Sequence, residues 1–322
     1  MTVPGIEALR EQARTGDSRA LVTLGKRLLV GEGAPLAPAE GVDLLRQADV
    51  RGDADAAALL AVCAAWGVGQ SRDVNAALDC LERAAQRGGA SAQRELQLLA
   101  RDSGRDWSAL RRRIDVASWT MAPALRVVFD RPRVIVIEQF ASAPECEWLI
   151  QRGRPGLARA MVYRGASTPQ AADTRTNTET SFTIFNADVM INLIRERMSS
   201  ATRAATSFFE VTKLLHYEPG QQFALHGDFL QPNTPELVQE IQRRGQRAAT
   251  FLTYLNDDFE GGETEFPRIS YRFKGKRGDA LLFSNTDRAG APDYETVHAG
   301  LPPTSGEKWL LSQWIRSRPI AP

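Results

Sequence analysis

A repeat with a period of 36 residues sets the fold class of the first part of this chain. The recurring run reads GDSRA at residues 16–20, GDADA at 52–56 and GGASA at 88–92. Fixed periods of this length are typical of helical solenoids, in which each helix pair buries its apolar face against its neighbours. We therefore predict an α/α helical-repeat solenoid over residues 1–100.

Within one repeat unit, apolar residues are spaced as on two amphipathic helices. The first set is Ala56, Ala57, Leu60, Ala61 and Ala64, and the second is Ala77, Leu78, Leu81, Ala84 and Ala85. Gly67 and Gly69 fall in the predicted loop between them, where glycine readily adopts positive φ. The pattern resembles Sel-one-like repeats, relatives of the tetratricopeptide repeat that mediate protein contacts, with two full units and a partial third. The array either caps and stabilises the rest of the chain or docks a protein partner, and the sequence leaves both roles open.

From about residue 131 the periodicity changes to that of short β-strands separated by turns. The predicted strands are 134–137, 211–215, 250–255 and 280–283, with helices at 146–151 and 189–202 packed outside them. Many short strands bounded by Gly, Pro, Asn and Asp predict a double-stranded β-helix, or jelly roll. The expected fold is α+β and multidomain, with repeats at 1–100, a helical connector at 101–130 and a jelly-roll domain at 131–322.

His226 and Asp228 carry the strongest chemical signal in this second part. Successive side chains of a strand point to opposite faces, so residues two apart share a face of the apolar run at 223–229. A histidine and a carboxylate placed in this way offer two adjacent ligands to a divalent metal. A second histidine would complete the two-histidine, one-carboxylate facial triad of Fe(II) oxygenases, which leaves positions open for an organic cosubstrate and dioxygen. The other histidines of the chain are His216 and His298.

The sequence blocks around His226 follow an order and spacing found in one enzyme family. They are LHYEPGQQFALHGD at 215–228, RAATFLTYLN at 247–256, GGETEFP at 261–267, KRGDALLF at 276–283, VHAGLP at 297–302 and GEKWLLSQWIR at 306–316. In this arrangement the chain resembles the catalytic domain of the prolyl 4-hydroxylases, clearly from 213 to 316 and more weakly back to 133. The resemblance implies an enzyme that uses Fe(II), 2-oxoglutarate and dioxygen, with ascorbate as reductant. It would hydroxylate an unactivated C–H bond, that of a peptidyl proline, and release succinate and CO2.

The resemblance also implies which residues hold the metal. The expected iron ligands are His226, Asp228 and His298. We prefer His298 to His216 because Lys308 follows it by ten residues, across a turn, and would return on the next strand to bind the far carboxylate of 2-oxoglutarate. If Tyr217 faces the interior, alternation turns His216 outward, where a surface role or a role beside the site is expected.

Further pocket residues are implied in the same way. Hydroxyl groups of Tyr217 and Tyr254 match family positions that contact the cosubstrate, and Thr264 follows the Gly-Gly turn into the pocket. Strand alternation places Lys308, Leu310, Ser312 and Trp314 on one face, so that Trp314 is expected to form a wall of the same pocket.

The polar segment 163–175 is expected to be a mobile active-site loop because it is rich in Gly and Pro and lacks periodicity. The run RTNTETSF at 175–182 is similar to the strand that lines the peptide groove of prolyl hydroxylases, which makes Arg175 a candidate substrate contact. The expected partner is a peptide or protein substrate, which the repeats would bind if docking is their role. Two alternatives stay open: hydroxylation of a free amino acid or small metabolite, and a catalytically silent scaffold. The intact ligand set with Lys308 favours an enzyme.

Composition and charge limit the partners and the compartment. The chain has 40 basic and 39 acidic residues among 322, a formal net charge of +1, which argues against nucleic acid as the main partner. Neither a signal peptide nor an apolar run of membrane-spanning length is visible, so no membrane association is expected. The scattered Cys63, Cys80 and Cys146 contain no Cys-x-x-Cys pair. They are expected to be buried, reduced residues of a cytoplasmic protein.

Overall fold

The computed structural model of the chain describes residues 5–161 and 173–320. Its contacts divide into two compact units, which are described separately: Met1–Thr120 with Ile184–Ile194, and Met121–Thr183 with Arg195–Pro322. The α-helices are α1 Ile6–Arg14, α2 Ser18–Val30, α3 Pro38–Val50, α4 Ala54–Trp66, α5 Val74–Gln86, α6 Ala90–Ala100, α7 Trp107–Arg113, α8 Val116–Thr120, α9 Ala143–Gly153, α10 Val189–Thr202 and α11 Pro235–Arg244. Helices α1–α8 belong to the first unit, which also takes in the first residues of α10.

The 36-residue repeat is confirmed in the backbone of the first unit. Helices α2, α4 and α6 begin at 18, 54 and 90, and the glycines that precede them share one left-handed conformation. Their φ values are 84° at Gly16, 90° at Gly52 and 87° at Gly88. Asp17 and Asp53 cap α2 and α4 by accepting a hydrogen bond from the backbone N–H three residues on. The repeated sequence thus specifies the turn, the cap and the start of each helix.

Small residues let neighbouring helices of the solenoid pack closely. A Cβ added at Gly41 would lie 2.8 Å from the carbonyl oxygen of Gly25, which is closer than packed atoms approach. Alanine and leucine fill the buried face of α4, including Ala57 and Leu60. The array is therefore stabilised by burial of small apolar side chains between successive helices.

Residues 101–130 are only partly helical. They contain the short helices α7 and α8, as predicted for a connector, but residues 126–129 form a β-strand. This strand pairs with Val134–Ile137, so the β-structure begins a few residues earlier than the sequence pattern indicates. Residues 126–129 form an edge strand and are exposed or half-buried, so their pairing with 134–137 defines them and no local burial pattern does.

The second unit has the double-sheet jelly-roll architecture predicted from the sequence. Its strands are β1 Arg126–Phe129, β2 Val134–Ile137, β3 Ala158–Arg159, β4 Thr178–Ser181, β5 Lys213–Tyr217, β6 Phe223–His226, β7 Arg247–Tyr254, β8 Glu260–Gly261, β9 Thr264–Phe266, β10 Tyr271–Phe273, β11 Ala280–Ser284, β12 His298–Gly300, β13 Pro303–Ser305 and β14 Lys308–Arg316. The major sheet has the order β1-β2-β11-β7-β14-β5-β4-β3, and the minor sheet has the order β10-β9-β12-β6. Strands β8 and β13 form a separate pair.

Apolar side chains from the major and minor sheets meet in one buried cluster. It includes Val136, Leu281 and Phe283 from the major sheet and Phe266 from the minor sheet. Inward and outward residues alternate along the strands, so the same alternation that builds this core also directs side chains into the cavity described below.

In the part of the chain that the structure describes, no helix combines the length and apolar character needed to cross a bilayer. Cys63, Cys80 and Cys146 are buried and free.

Candidate active site

Two histidines from adjacent strands and one carboxylate come together at the edge of the minor sheet. His226 is the last residue of β6, and the antiparallel register places it directly opposite His298, the first residue of β12. Asp228 follows β6 by two residues and is 6% exposed. One ligand atom from each of the three residues lies within 4.8 Å of the others. Residues 72 positions apart in sequence are thus joined by strand pairing alone.

Hydrogen bonds to the backbone orient both imidazole rings. His226 Nδ1 lies 2.8 Å from the carbonyl oxygen of Ala224, and His298 Nδ1 lies 3.0 Å from that of Thr296. Since a carbonyl oxygen only accepts, each Nδ1 carries a proton, and in the neutral ring the lone pair is then on Nε2. Both Nε2 atoms lie 3.6 Å from the Asp228 carboxylate, one at each oxygen. Two unprotonated nitrogens and a carboxylate facing one point form a donor set suited to a divalent cation.

The carboxylate itself is fixed from behind. Thr250 donates its hydroxyl proton to Asp228 Oδ2 at 2.6 Å, and the Asn285 amide donates in turn to Thr250 Oγ1 at 2.8 Å. Burial alone would raise the pKa of Asp228, but the hydrogen bonds and the neighbouring histidines outweigh burial and lower it. Burial and the adjacent His226 lower the pKa of His298 to about 4. The site therefore presents an ionised carboxylate and a neutral His298 at physiological pH.

Lys308 lies in the same cavity with its side chain completely buried. Lys308 is the first residue of β14 and pairs in register with Tyr217 of β5. Its ammonium lies 5.2 Å from the centre of the Tyr217 ring and 5.3 Å from that of Tyr254. Within the described residues, Lys308 Nζ has no hydrogen-bond partner. Burial lowers the pKa of Lys308 to about 7, and the attraction of Glu263 opposes this only in part. Burial of a cation costs free energy unless an anion pairs with it, so this ammonium is suited to bind an anionic ligand.

One face of β14 forms a wall of the cavity, as alternation predicts. Lys308, Leu310, Ser312 and Trp314 all line it. The guanidinium carbon of Arg247 lies 3.7 Å from the centre of the Trp314 ring, which fixes the plane of the indole.

Tyr217 and Thr264 also line the cavity, whereas Tyr254 does not. The Tyr254 hydroxyl donates to the carbonyl oxygen of Phe273 at 3.0 Å and lies 2.9 Å from Thr264 Oγ1. A tyrosine has one hydroxyl proton, so in this arrangement none is left for a cosubstrate carboxylate. Tyr254 contributes its ring face beside Lys308, and the contact predicted for its hydroxyl stays a prediction.

His216 and Arg175 differ in part from what the sequence indicates. His216 faces away from the cavity as expected, but it is buried rather than on the surface, because it stacks on Trp309 with ring centres 4.1 Å apart. Arg175 lines the cavity and is 3% exposed. Its guanidinium is already engaged by Glu179, Asn177 and a backbone carbonyl, so the predicted substrate contact stays a prediction. Of the loop predicted at 163–175, residues 162–172 lie outside the described part of the chain.

Comparison with known proteins identifies the class to which this fold and site belong. The 2OG-Fe(II) oxygenase superfamily matches residues 212–316, which contain the three candidate metal ligands and Lys308. Prolyl 4-hydroxylase 1 of Arabidopsis thaliana is 31% identical over 210 residues, covering 60% of this chain and 71% of its own. Within the superfamily, the chain belongs to the prolyl 4-hydroxylase family.

Two solved structures are also similar to parts of the chain. The viral collagen prolyl hydroxylase from Paramecium Bursaria Chlorella virus-1, in its 2OG complex, is 28% identical with a TM-score of 0.44, over 56% of this chain and 94% of the other. A Sel1 repeat protein from Oxalobacter formigenes is 29% identical with a TM-score of 0.28, over 29% of this chain and 69% of the other.

Proposed function

We propose that this protein is a 2-oxoglutarate-dependent dioxygenase that hydroxylates prolyl residues in peptides or proteins. The observation that carries the proposal is the placement, in one cavity, of a two-histidine, one-carboxylate donor set and a fully buried ammonium that has no hydrogen-bond partner among the described residues. The first fits Fe(II), and the second fits the far carboxylate of the cosubstrate. Membership of the prolyl 4-hydroxylase family supplies the class of substrate.

The proposed metal ligands are His226 Nε2, His298 Nε2 and one oxygen of Asp228. Fe(II) held there supplies activation of dioxygen, coupled to conversion of 2-oxoglutarate into succinate and CO2 and to hydroxylation of a C–H bond. The carbonyl groups of Ala224 and Thr296 hold the two imidazole rings in place through Nδ1, which leaves each Nε2 turned toward the Asp228 carboxylate. Thr250 holds the carboxylate in place.

The proposed cosubstrate site lies along β14. Lys308 would pair with the C5 carboxylate, and the walls formed by Tyr217, Leu310 and Thr264 exclude water around it. Exclusion of water strengthens the ammonium–carboxylate attraction, because charges interact more strongly in a low dielectric. Ser312 and Trp314 continue the same face away from Lys308, where they would meet the substrate side of the cavity.

Three finer parts of the proposal concern the substrate and the reductant. A peptide substrate is supported by the names of the relatives, which are prolyl 4-hydroxylases. The helical repeats would dock the protein that carries the target proline, consistent with the contact-forming role of such arrays. Ascorbate is the proposed reductant that restores Fe(II) after unproductive turnover.

Succinate release from 2-oxoglutarate, with Fe(II), ascorbate and a panel of proline-containing peptides, tests the function. Wild type is compared with His226→Ala, and with His216→Gln as a matched control in a histidine outside the cavity. We expect peptide-stimulated succinate release that is lost in His226→Ala and kept in His216→Gln. Absence of succinate release, together with absence of anaerobic Fe(II) and 2-oxoglutarate binding, would overturn the enzyme proposal. Stimulation by free amino acids alone would overturn the assignment of a peptide substrate.

A further inference from the structure

The ring of Phe223 joins a candidate metal ligand to a buried arginine. The Phe223 and His226 rings are stacked, with centres 3.4 Å apart and planes inclined by 13°. The guanidinium carbon of Arg175 lies over the same phenyl ring at 4.6 Å from its centre. Because the imidazole covers one face of the phenyl ring at contact distance, the guanidinium takes the opposite face. The imidazole orientation therefore depends on a three-layer stack.

Glu179 fixes the outer layer of this stack. Its carboxylate binds Arg175 Nη2 through one oxygen and Lys213 Nζ through the other, each at 2.5 Å. The Arg175 side chain is 4% exposed and that of Glu179 is 14% exposed. Both ion pairs are thus largely shielded from water. In such surroundings, loss of one member of a pair leaves an uncompensated buried charge.

The backbone sets these side chains in register. Arg175 forms an isolated antiparallel bridge with Phe223, the first residue of β6. On either side of it, the N–H of Ala224 donates to the carbonyl oxygen of Thr174 at 2.7 Å, and the N–H of Thr176 donates to that of Gln222 at 2.8 Å. The arginine is therefore tied to the strand that ends in His226 both through its backbone and through its side chain.

His226 has more need of such support than His298. Strand β6 is the edge strand of the minor sheet, whereas β12 lies inside it. The His226 side chain is 18% exposed against 6% for His298. His298 is surrounded by the rings of Phe266 and Phe283, at 5.5 and 4.7 Å between ring centres. His226 has the Phe223 stack in place of that enclosure.

We infer that Glu179 is a positioning residue for the metal site, acting on His226 through Arg175 and Phe223. The inference rests on the proposed function, since it takes His226 as a ligand. Without the Glu179 carboxylate, Arg175 and Lys213 are two neighbouring cations that repel each other. This repulsion shifts Arg175 on the phenyl face against its remaining bonds to Asn177 and the carbonyl oxygen of Met161. One of the two restraints on the His226 ring is thereby weakened. Groups that orient a metal-bound histidine from behind typically change metal affinity by about 10- to 100-fold when removed.

Titration of the apoprotein with Co²⁺ alone, followed by its visible absorption, tests this inference without catalysis. We expect Glu179→Gln to raise the Kd for Co²⁺ by about tenfold or more. At saturating Fe(II), the KM for 2-oxoglutarate stays within about twofold of wild type, because Lys308 is untouched. Glu147→Gln is the matched control, since it removes an exposed carboxylate that pairs with Arg277 in the same unit. Its Kd for Co²⁺ should equal that of wild type.

A second variant shows whether the effect passes through the phenyl ring. Phe223→Leu is expected to weaken Co²⁺ binding by a similar factor. Adding Glu179→Gln to it should raise the Kd little further, because the phenyl ring that links Arg175 to His226 is already absent. The phenylalanine variant also carries the test if Glu179→Gln does not fold. An unchanged Co²⁺ affinity in the folded variants, with only the KM for peptide altered, would overturn the inference and make Arg175 a substrate contact. Failure of wild type to bind Co²⁺ or Fe(II) would instead refute the proposed function.

Discussion

Replacing Lys308 by methionine should weaken cosubstrate binding while making the apoprotein more stable. Methionine fills nearly the same space without a charge. In the complex, the C5 carboxylate of 2-oxoglutarate would then lie buried and unpaired, at a cost of about 3–5 kcal/mol. That free energy corresponds to a rise of roughly 150- to 5,000-fold in the Kd for 2-oxoglutarate.

The stability of the apoprotein should change in the opposite direction. Burial lowers the pKa of Lys308 from 10.5 to about 7, so the unfolded state binds more protons than the folded state between these values. A group of this kind reduces the free energy of unfolding progressively as pH falls from 10.5 to 7, and by a constant amount below 7. The full difference is on the order of 5 kcal/mol. We expect Lys308→Met to gain at least about 1 kcal/mol at pH 7, because it removes a buried ammonium that has no hydrogen-bond partner in the described part of the chain.

Both effects are measurable on purified protein. Isothermal titration with 2-oxoglutarate in the presence of Mn²⁺ gives the Kd, and urea unfolding of the apoprotein gives the free energy of unfolding. Lys276→Met, at an exposed lysine of the same unit, is the matched control and should change neither quantity. A change in Kd of less than about fivefold would refute Lys308 as the carboxylate partner. A loss of stability would show that the ammonium has a partner in the apoprotein.

Three further outcomes are expected. Lys308 has a pKa near 7 before the carboxylate binds, and the bound carboxylate should raise that pKa. Binding of 2-oxoglutarate should therefore take up a proton above pH 7 and weaken as pH rises. Calorimetry in buffers of different ionisation enthalpy measures this proton uptake. Asp228→Asn should raise the Kd for Mn²⁺ by at least about 100-fold, measured by paramagnetic resonance, while an unchanged Kd would remove this carboxylate from the ligand set. Gly52→Ala, with open space around its Cβ, should cost about 1 kcal/mol in urea unfolding. Gly69→Ala, whose Cβ would lie 2.3 Å from the carbonyl oxygen of Pro38, should cost clearly more, and equal costs would contradict the packing of the repeats.

Features that depend on local periodicity could be predicted from the sequence. The repeat, its glycine turns and its helix starts follow from residues that are neighbours along the chain. Helix α10 and strand β2 have the predicted bounds of 189–202 and 134–137, whereas α9 is longer than the predicted 146–151 and the edges of β5 and β7 differ by a few residues. Strand edges depend on partners distant in sequence, and no local pattern reports those partners.

The same distinction holds for the candidate site. Alternation along β14 predicts the shared face of Lys308 and Trp314, because that relation lies within one strand. The support given by Thr250 to Asp228 joins separate strands, and it could not be inferred before their register was known. The role of Glu179 likewise gives no signal in the sequence. Its partners Arg175 and Lys213 lie 4 and 34 residues away along the chain, and only the folded structure brings both to its carboxylate. The cosubstrate contact predicted for Tyr254 rests on resemblance alone, whereas the hydrogen bonds of its hydroxyl are set by the packing of β9 and β10.

The most direct test of the central claim is mass spectrometry of a proline-containing peptide after incubation with the enzyme, Fe(II), 2-oxoglutarate, ascorbate and ¹⁸O₂. We predict the gain of one ¹⁸O atom, located on proline by fragmentation, in wild type and not in His226→Ala. A peptide that stays unmodified while succinate is still released, or an oxygen atom located on another residue, would contradict the assignment of a prolyl hydroxylase.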